Sequence, residues 1–157
     1  MIIREYDAET DCPGLQQCVI SIQDHEHNLD PNLPSGKDIV EAYLPQILES
    51  CKQFDGKILV ADTAGNIAGY GLILTKVTTE EVEDGDIDFR LIRDLSVLER
   101  YRGQGIGSQL LSALENEAKI AGVTRLRIEV LNSNEVAKQV YLSKGFTPYT
   151  LLLEKTF

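Results

Sequence analysis

The sequence predicts one domain of the mixed α+β class. Its 157 residues and 17.5 kDa suffice for a single hydrophobic core, and the hydrophobic fraction of 43% is typical of a globular protein. Strand-like alternation and helical periodicity follow one another in the order β-α-α-β-β-β-α-β-α-β. We therefore expect a single domain over residues 1–157.

The first third of the chain predicts a strand and two helices. Residues 2–6 have the pattern of a short strand, and a helix follows from Glu9 to about Asp24. Residues 25–31 form a polar linker whose His-x-His spacing has no third ligand nearby, which argues against a metal site. We expect this linker to be a solvent-exposed loop or part of the acceptor pocket. Ser35 is a suitable N-cap for a second helix, which Pro45 would kink or split.

The middle of the chain predicts three antiparallel strands. Lys57–Asp62 and Ile67–Lys76 flank a Thr-Ala-Gly-Asn turn, which indicates a hairpin. Glu80–Asp86 is too charged to be buried and predicts a turn. The strand Ile87–Val97 then returns beside the preceding one.

The segment from residue 91 to residue 122 carries the strongest functional signal. A strand-like run ends at Leu98, a loop with glycines at 103, 105 and 107 follows, and a helical pattern begins at once. The apolar residues of that helix recur at three- and four-residue steps; they are Ile106, Leu110, Leu114, Ala118 and Ala121. Gly122 then ends the helix.

A glycine-rich loop that leads directly into a helix predicts an anion site. The first N–H groups of the helix have no carbonyl partners and lie at the positive end of the helix dipole. Gly105 and Gly107 lack a Cβ, so a phosphate can approach the main chain. Arg102 offers a planar fork of donors suited to phosphate oxygens.

Two familiar phosphate loops fit this segment poorly. The dinucleotide fingerprint G-x-G-x-x-G would begin at Gly103 but has Ser108 in place of its third glycine, and the P-loop requires a lysine that is absent here. Glu129 does lie about where a ribose-binding acid would follow a Rossmann loop. Only 50 residues follow Gly107, however, which is too few for the repeated βαβ halves of that fold.

The last part of the chain predicts a strand, a helix and a final strand. Arg125–Val130 alternates as a strand does. Asn134 can cap a helix over Glu135–Lys144 that Gly145 ends. Phe146–Lys155 is the last expected strand.

A third interpretation of the loop fits the wider sequence. Arg102-x-x-Gly105-x-Gly107 resembles the Q/R-x-x-G-x-G/A pyrophosphate loop of the GNAT family of acyl-CoA-dependent N-acetyltransferases. The surrounding motifs are similar too, and they are Asp94-Leu95-Ser96-Val97, Tyr101-Arg102 and Asn132-x-Asn134-x-x-Ala137-x-x-x-Tyr141-x-x-x-Gly145-Phe146. Together they span residues 91–146.

The resemblance implies a fold and a co-substrate. The fold is a mixed, mostly antiparallel sheet of six to seven strands flanked by four helices, with a splayed central strand pair formed by the strands at 91–97 and 125–130. The co-substrate is acetyl-CoA. The resemblance implies that the loop binds its pyrophosphate through Arg102, Gly103, Gln104, Gly105, Ile106, Gly107 and Ser108, the last of which either bonds a phosphate or caps the helix.

The resemblance also assigns the reacting groups. The main chain of Leu95 and Val97 would bind pantetheine, and the Val97 N–H would stabilise the oxyanion. Tyr141 stands at the position of the general acid that protonates the departing thiolate. Asn134 would contact the cofactor as well as cap its helix, and Asn132 would do either.

The base that frees the acceptor amine stays open between Asp94 and Glu129, acting directly or through water. Polyamine acetyltransferases often carry Glu-Asp where this sequence has Arg93-Asp94, which argues against a polyamine acceptor. Arg93 would either meet a carboxylate of the acceptor or pair with a surface acid.

The charge distribution bears on the partners. Residues 1–99 hold 7 basic and 20 acidic side chains, net −13, whereas residues 100–157 hold 8 and 5, net +3. The basic half suits a cofactor with several phosphates, and the acidic half either favours a cationic amine acceptor or forms a solvated surface. The net charge of −10 argues against nucleic acid and anionic membranes as partners.

Other features of the sequence are consistent with a cytoplasmic acetyltransferase of a small-molecule or protein amine. The chain has no signal-like or membrane-spanning run, and its three cysteines have no C-x-x-C spacing. Only 11 residues follow Phe146, so the acceptor pocket would be open or completed by a second subunit of a homodimer. The alternative function is a non-catalytic acyl-CoA-binding or regulatory module on the same fold.

Overall fold

The computed structural model describes residues 1–77 and 89–157. The predicted turn Glu80–Asp86 and the first residues of the strand expected from Ile87 lie outside these ranges. The elements of the described chain, in order, are β1 (Ile2–Glu5), α1 (Cys12–Leu29), α2 (Gly36–Gln53), β2 (Lys57–Thr63), β3 (Asn66–Val77), β4 (Phe89–Val97), α3 (Ile106–Ile120), β5 (Leu126–Ile128) and α4 (Glu135–Ser143). A 3₁₀ turn over Glu99–Tyr101 joins β4 to the glycine loop.

The strands form one mixed sheet in the order β1-β2-β3-β4-β5. Neighbours are antiparallel from β1 to β4, and β4 and β5 are parallel. The hairpin between β2 and β3 turns at Ala64 and Gly65, which have φ values of 52° and 83°. Positive φ at both central positions matches the right-handed twist of the strands, so the hairpin predicted from the turn residues is confirmed.

The helices cover both faces of the sheet. Helices α1 and α2 pack on one face over a core centred on Tyr70, which is fully buried. Helix α3 packs on the other face with its apolar stripe, and Leu110 and Leu114 are fully buried there. This arrangement confirms the mixed α+β prediction and places the N-terminus of α3 next to the end of β4.

The first two helices differ from the prediction in length and continuity. Helix α1 continues through the expected linker to Leu29, because its inner face keeps the helical spacing beyond Asp24. Helix α2 is one continuous helix with Pro45 inside it, so of the expected kink or split, the split is wrong. Its predicted N-cap, Ser35, is confirmed and forms a capping box with Asp38.

The strand predicted over Phe146–Lys155 is wrong. Residues 146–157 contain no strand, so the sheet of the described chain has five strands where six to seven were expected. The physical reason is the short neighbour: β5 has only three residues and offers few backbone groups at its outer edge. Leu151 and Leu152 in this tail are 73% and 92% exposed.

No helix within the described ranges is long and apolar enough to cross a membrane. Residues 1–77 and 89–157 also contain no group of three or more His, Cys, Asp or Glu arranged for metal binding. The three cysteines are free thiols.

Candidate functional site

The loop between β4 and α3 presents a row of unsatisfied backbone donors. Every N–H from residue 103 to residue 108 lacks a hydrogen-bond acceptor among the described residues, and the Gln109 N–H is the first to bond a carbonyl, that of Gly105. These donors lie at the N-terminus of a 15-residue helix, where the dipole favours negative charge. The loop can therefore hold an anion with several oxygens.

Glycine permits the backbone path of this loop. Gly103 and Gly105 have φ values of 74° and 77°, which strain any residue with a Cβ. Gly107 has an ordinary helical backbone, and a Cβ built on it would lie 3.6 Å from Val97 Cγ2. Two of the three predicted loop glycines are thus required by conformation, and the third lies against the end of β4.

Arg102 lies at the entrance of the loop with an exposed side chain. Its Nε donates a hydrogen bond to the carbonyl oxygen of Val97 at 3.0 Å. The loop entrance is therefore fastened to the last residue of β4, while the two terminal nitrogens of the guanidinium group have no acceptor within the described chain.

Strands β4 and β5 separate before β4 reaches the loop. Among the described residues their pairing covers three residue pairs and ends at Ile92 and Ile128, whereas β4 continues to Val97. The expected splayed pair is therefore confirmed. Because Leu98 N–H donates to Ala68 of β3 and donors alternate along a strand, the N–H groups of Leu95 and Val97 point to the open side.

A β-bulge shapes β4 where it leaves β5. Leu72 pairs with Asp94 and the next residue, Ile73, pairs with Ile92, so Arg93 is the extra residue. The bulge places the side chains of Arg93 and Asp94 on the same face of the sheet, where both contact α2. Bulges bend a strand, and this one coincides with the end of the pairing between β4 and β5.

Asp94 is buried and fully engaged. It is 7% exposed and accepts hydrogen bonds from Tyr43 Oη at 2.8 Å and 3.1 Å and from Tyr70 Oη at 2.9 Å. Burial raises the pKa of Asp94, and the hydrogen bonds from the two tyrosines and the charge of Arg93 oppose that rise. Both carboxylate oxygens are occupied, so the geometry favours a positioning role over direct proton transfer.

Arg93 is held by α2. Its Nη1 donates to Ser50 Oγ at 2.8 Å, and its guanidinium carbon lies 5.5 Å from the centre of the Tyr43 ring. Within the described residues it makes no ion pair with a surface acid, which was one of the two expected roles. Arg93 instead stands beside Asp94 and compensates part of its buried charge.

Tyr141 lies on α4 and packs against the core of the α3 face together with Phe146, whose ring centre is 6.0 Å away. Its hydroxyl makes no hydrogen bond with the described residues. Burial raises the pKa of Tyr141 to about 12, and the charge of Glu26 adds to this rise. The phenol therefore keeps its proton at neutral pH and has that proton free to donate.

The remaining predicted residues divide into two groups. Asn134 caps α4 by accepting from the Ala137 N–H at 3.2 Å, which confirms the capping. Asn132 Oδ1 accepts from Lys138 Nζ at 3.2 Å and is exposed, so it braces the start of α4. Ser108 and Glu129 make no side-chain hydrogen bond with the described residues; Glu129 is exposed just after β5.

The sequence model of a known family matches this arrangement. The family is described as the Acetyltransferase (GNAT) family, and its model matches residues 22–146. The chain belongs to this family. The matched range includes the glycine loop, the two strands that separate and Tyr141.

Named relatives of this GNAT chain are N-acetyltransferases. The ribosomal protein bS18-alanine N-acetyltransferase of Haemophilus ducreyi is 34% identical over 65 residues, which are 41% of this chain and 45% of that protein. The thialysine N-epsilon-acetyltransferase of Bos taurus is 32% identical over 79 residues, 50% of this chain and 44% of that one. The matched part thus spans less than half the length of either relative.

The fold of the GNAT chain is also found in solved structures. A crystal structure of a mutant of the BH1408 protein from Bacillus halodurans superposes with a TM-score of 0.87 at 22% identity, and the match covers 100% of this chain and 99% of that one. This likeness concerns the fold, because the identity is low.

One charged residue close to Asp94, Glu26, was not singled out from the sequence. Glu26 lies on α1, in the segment expected to be a linker, and is partly buried. Burial first, and the charge of Asp94 second, raise the pKa of Glu26. The signal was present in the sequence, because Leu15, Val19, Ile22 and Glu26 continue one helical stripe.

Proposed function

We propose that this protein transfers the acetyl group of acetyl-CoA to a primary amine of a small molecule or protein, by direct attack in a ternary complex. One observation carries the proposal: the loop with the unpaired N–H groups of residues 103–108 follows the part of β4, up to Val97, that no longer pairs with β5, and Gly107 lies against Val97. A diphosphate held by the loop would direct the rest of the cofactor into the opening between the two strands.

The loop and the open edge of β4 fit the two chemically distinct parts of CoA. The phosphates would take the N–H groups of residues 103–108 and the terminal nitrogens of Arg102. The pantetheine arm contains amide groups. They would hydrogen-bond to the free backbone groups of Leu95 and Val97, as an added strand bonds to the edge of a sheet. Asn134 and Ser108 would supply further polar contacts.

Acetyl-CoA would supply an activated thioester, and the residues of this chain would do the rest. As the acceptor nitrogen bonds the carbonyl carbon, the Val97 N–H would stabilise the charge that develops on the oxygen. As the carbon–sulfur bond breaks, the Tyr141 hydroxyl would give its proton to sulfur. The nitrogen loses a proton in exchange, so the amide and the free thiol form without net loss of a proton from Tyr141.

The class of acceptor is inferred from the names of the relatives and from the charge of this chain. The names of the two relatives mention the nitrogen of an alanine and the ε-nitrogen of thialysine. Both are primary alkylamines that are positively charged at neutral pH. The acidic half of this chain, net −13 over residues 1–99, would attract such a cation.

A thiol-release assay tests the proposal. Acetyl-CoA is incubated with the protein and a panel containing free lysine, thialysine, short alanine-terminated peptides and simple alkylamines, and free CoA is measured. Turnover with any amine supports the acetyltransferase. Tight CoA binding by calorimetry with no turnover across the panel would indicate the non-catalytic acyl-CoA-binding module, and a thermal shift with NAD in place of CoA would indicate a Rossmann-type nucleotide site.

A further inference from the structure

Glu26 occupies a position on α1 at which the helix otherwise presents apolar side chains. Leu15 and Val19 are fully buried, Ile22 is partly buried, and Glu26 follows at the same three- and four-residue steps. The helix therefore turns this carboxylate toward the sheet. A charged group is rarely placed in this way without a partner, because its desolvation is costly.

The described chain provides no such partner. The Glu26 carboxylate makes no hydrogen bond or ion pair within residues 1–77 and 89–157. The groups that act on it electrostatically are Asp94 on β4, which is itself an acid, and Tyr141 on α4, which is neutral at physiological pH. Glu26 thus lies near β4, which borders the opening, and near Tyr141, the proposed proton donor, and the group that would complement it is a cation.

The other candidate carboxylates are less suited to receive a cation. Asp94 already accepts the hydroxyl protons of Tyr43, which lies within reach of both carboxylate oxygens, and of Tyr70. Glu129 is exposed after β5, so water competes for its charge. Of these three acids, Glu26 is the one that is both partly buried and free of hydrogen bonds within the described chain.

We propose that Glu26 receives the ammonium group of the acceptor and takes the proton that the nitrogen must lose before it attacks. This inference rests on the proposed acetyl transfer and defines the acceptor as a cationic primary amine. The first proton moves from nitrogen to a Glu26 oxygen, directly or through one water, and leaves to solvent after the product dissociates. The nitrogen loses a second proton after it has attacked, and this proton replaces the one that Tyr141 gives to sulfur.

Raised basicity supports this assignment. An alkylammonium group has a reference pKa of about 10.4, and an ordinary glutamate one of about 4.3. Burial and the charge of Asp94 raise the pKa of Glu26, which brings the acid and base closer together and makes the transfer less uphill.

The test compares Glu26→Gln with wild type on two nucleophiles. The first is the alkylamine that wild type uses best in the panel, and the second is methoxyamine, which is uncharged at neutral pH and needs no base before attack. Glu41→Gln is the matched control, since it neutralises an exposed carboxylate on α2. Thermal melting and CoA affinity are measured for each variant to confirm folding.

We expect Glu26→Gln to lower kcat/KM for the alkylamine by about 10²-fold or more and to change that for methoxyamine by less than about threefold. Glu41→Gln should match wild type on both. Equal loss on the two nucleophiles would assign Glu26 a structural role and overturn the inference, as would an unchanged rate with the alkylamine. If wild type acetylates no amine, the proposed function itself falls, and the role of Glu26 falls with it.

Discussion

Arg102 donates a hydrogen bond from Nε to the carbonyl oxygen of Val97 at 3.0 Å. This bond joins the entrance of the anion loop to the residue whose N–H is the proposed oxyanion donor. The proposed phosphate site and the proposed oxyanion donor are therefore connected by one side chain. A substitution of Arg102 should therefore affect both phosphate binding and the position of the oxyanion donor.

Replacing Arg102 with alanine should weaken CoA binding by about 10- to 150-fold. The reason is the loss of a charged donor to phosphate, an interaction worth about 1.5–3 kcal/mol. Isothermal calorimetry with CoA measures the effect. Arg125→Ala is the control, because it removes an equal charge from an exposed side chain near the start of β5, away from the loop. Equal CoA affinity in wild type and Arg102→Ala would contradict the phosphate assignment.

Two glycines with similar backbone geometry allow the effect of backbone strain on stability to be separated from the effect on CoA binding. Gly105 before α3 and Gly65 in the hairpin have φ values of 77° and 83°, and a Cβ on either would meet no close atom. Alanine at each should lower the free energy of unfolding by about 1–2 kcal/mol. Only Gly105→Ala should also weaken CoA binding. Similar CoA affinity in the two variants would argue that the loop does not bind the cofactor.

Tyr141→Phe should lower kcat about 10²-fold and leave acetyl-CoA affinity within twofold of wild type. The substitution removes the proton donor but keeps the ring that packs near Phe146. Steady-state CoA release and calorimetry give the two values. Tyr149→Phe, at a tyrosine that is 65% exposed, is the control. An unchanged kcat in Tyr141→Phe would remove the general-acid role.

Local patterns predicted the elements that depend on neighbouring residues. The glycine loop, α3 and its end at Gly122 follow from φ requirements and helical period, both of which act over a few residues. The hairpin after Thr63 was equally predictable. The final strand was not, since the apolar run Leu151–Leu153 has strand character but finds only the short β5 as a neighbour.

Features that depend on contacts between residues far apart in the chain could not be predicted from the sequence. The bulge at Arg93 arises from the register between β3 and β4, and it alone places Arg93 and Asp94 on the same face. The engagement of Asp94 by Tyr43, which is 51 residues away, could not be read from spacing. Glu26 was not singled out for a local reason, because the charged residues after Asp24 resemble a linker although they continue the helix.

The pH dependence of stability should show a loss in acid that depends on Asp11. Arg4 contacts this carboxylate at 2.6 Å and 2.9 Å, and its hydrogen bonds lower the pKa of Asp11 from 3.8 to about 2. A lowered pKa in the folded state adds stability above the unfolded value, and this contribution, roughly 1–2 kcal/mol, is lost as pH falls from about 4 to 2.

Urea denaturation of wild type and Asp11→Asn across that pH range measures the contribution. The variant should be less stable at neutral pH, and the difference should shrink toward pH 2. A stability difference that does not change with pH would show that the negative charge of Asp11 does not contribute to stability. Asp30→Asn, at the end of α1, serves as the control.

Tyr70→Phe should destabilise the fold through Asp94. The Tyr70 hydroxyl is buried and donates to Asp94 Oδ2 at 2.9 Å, so its removal leaves a buried carboxylate with one donor fewer and should cost about 1.5–3 kcal/mol. The same loss should raise the pKa of Asp94 further. Since a raised pKa of a folded acid lowers stability as pH increases, the difference from wild type should grow with pH. Urea denaturation at several pH values, with Tyr101→Phe as control, measures it; a small, pH-independent difference would mean that the carboxylate does not depend on this hydroxyl.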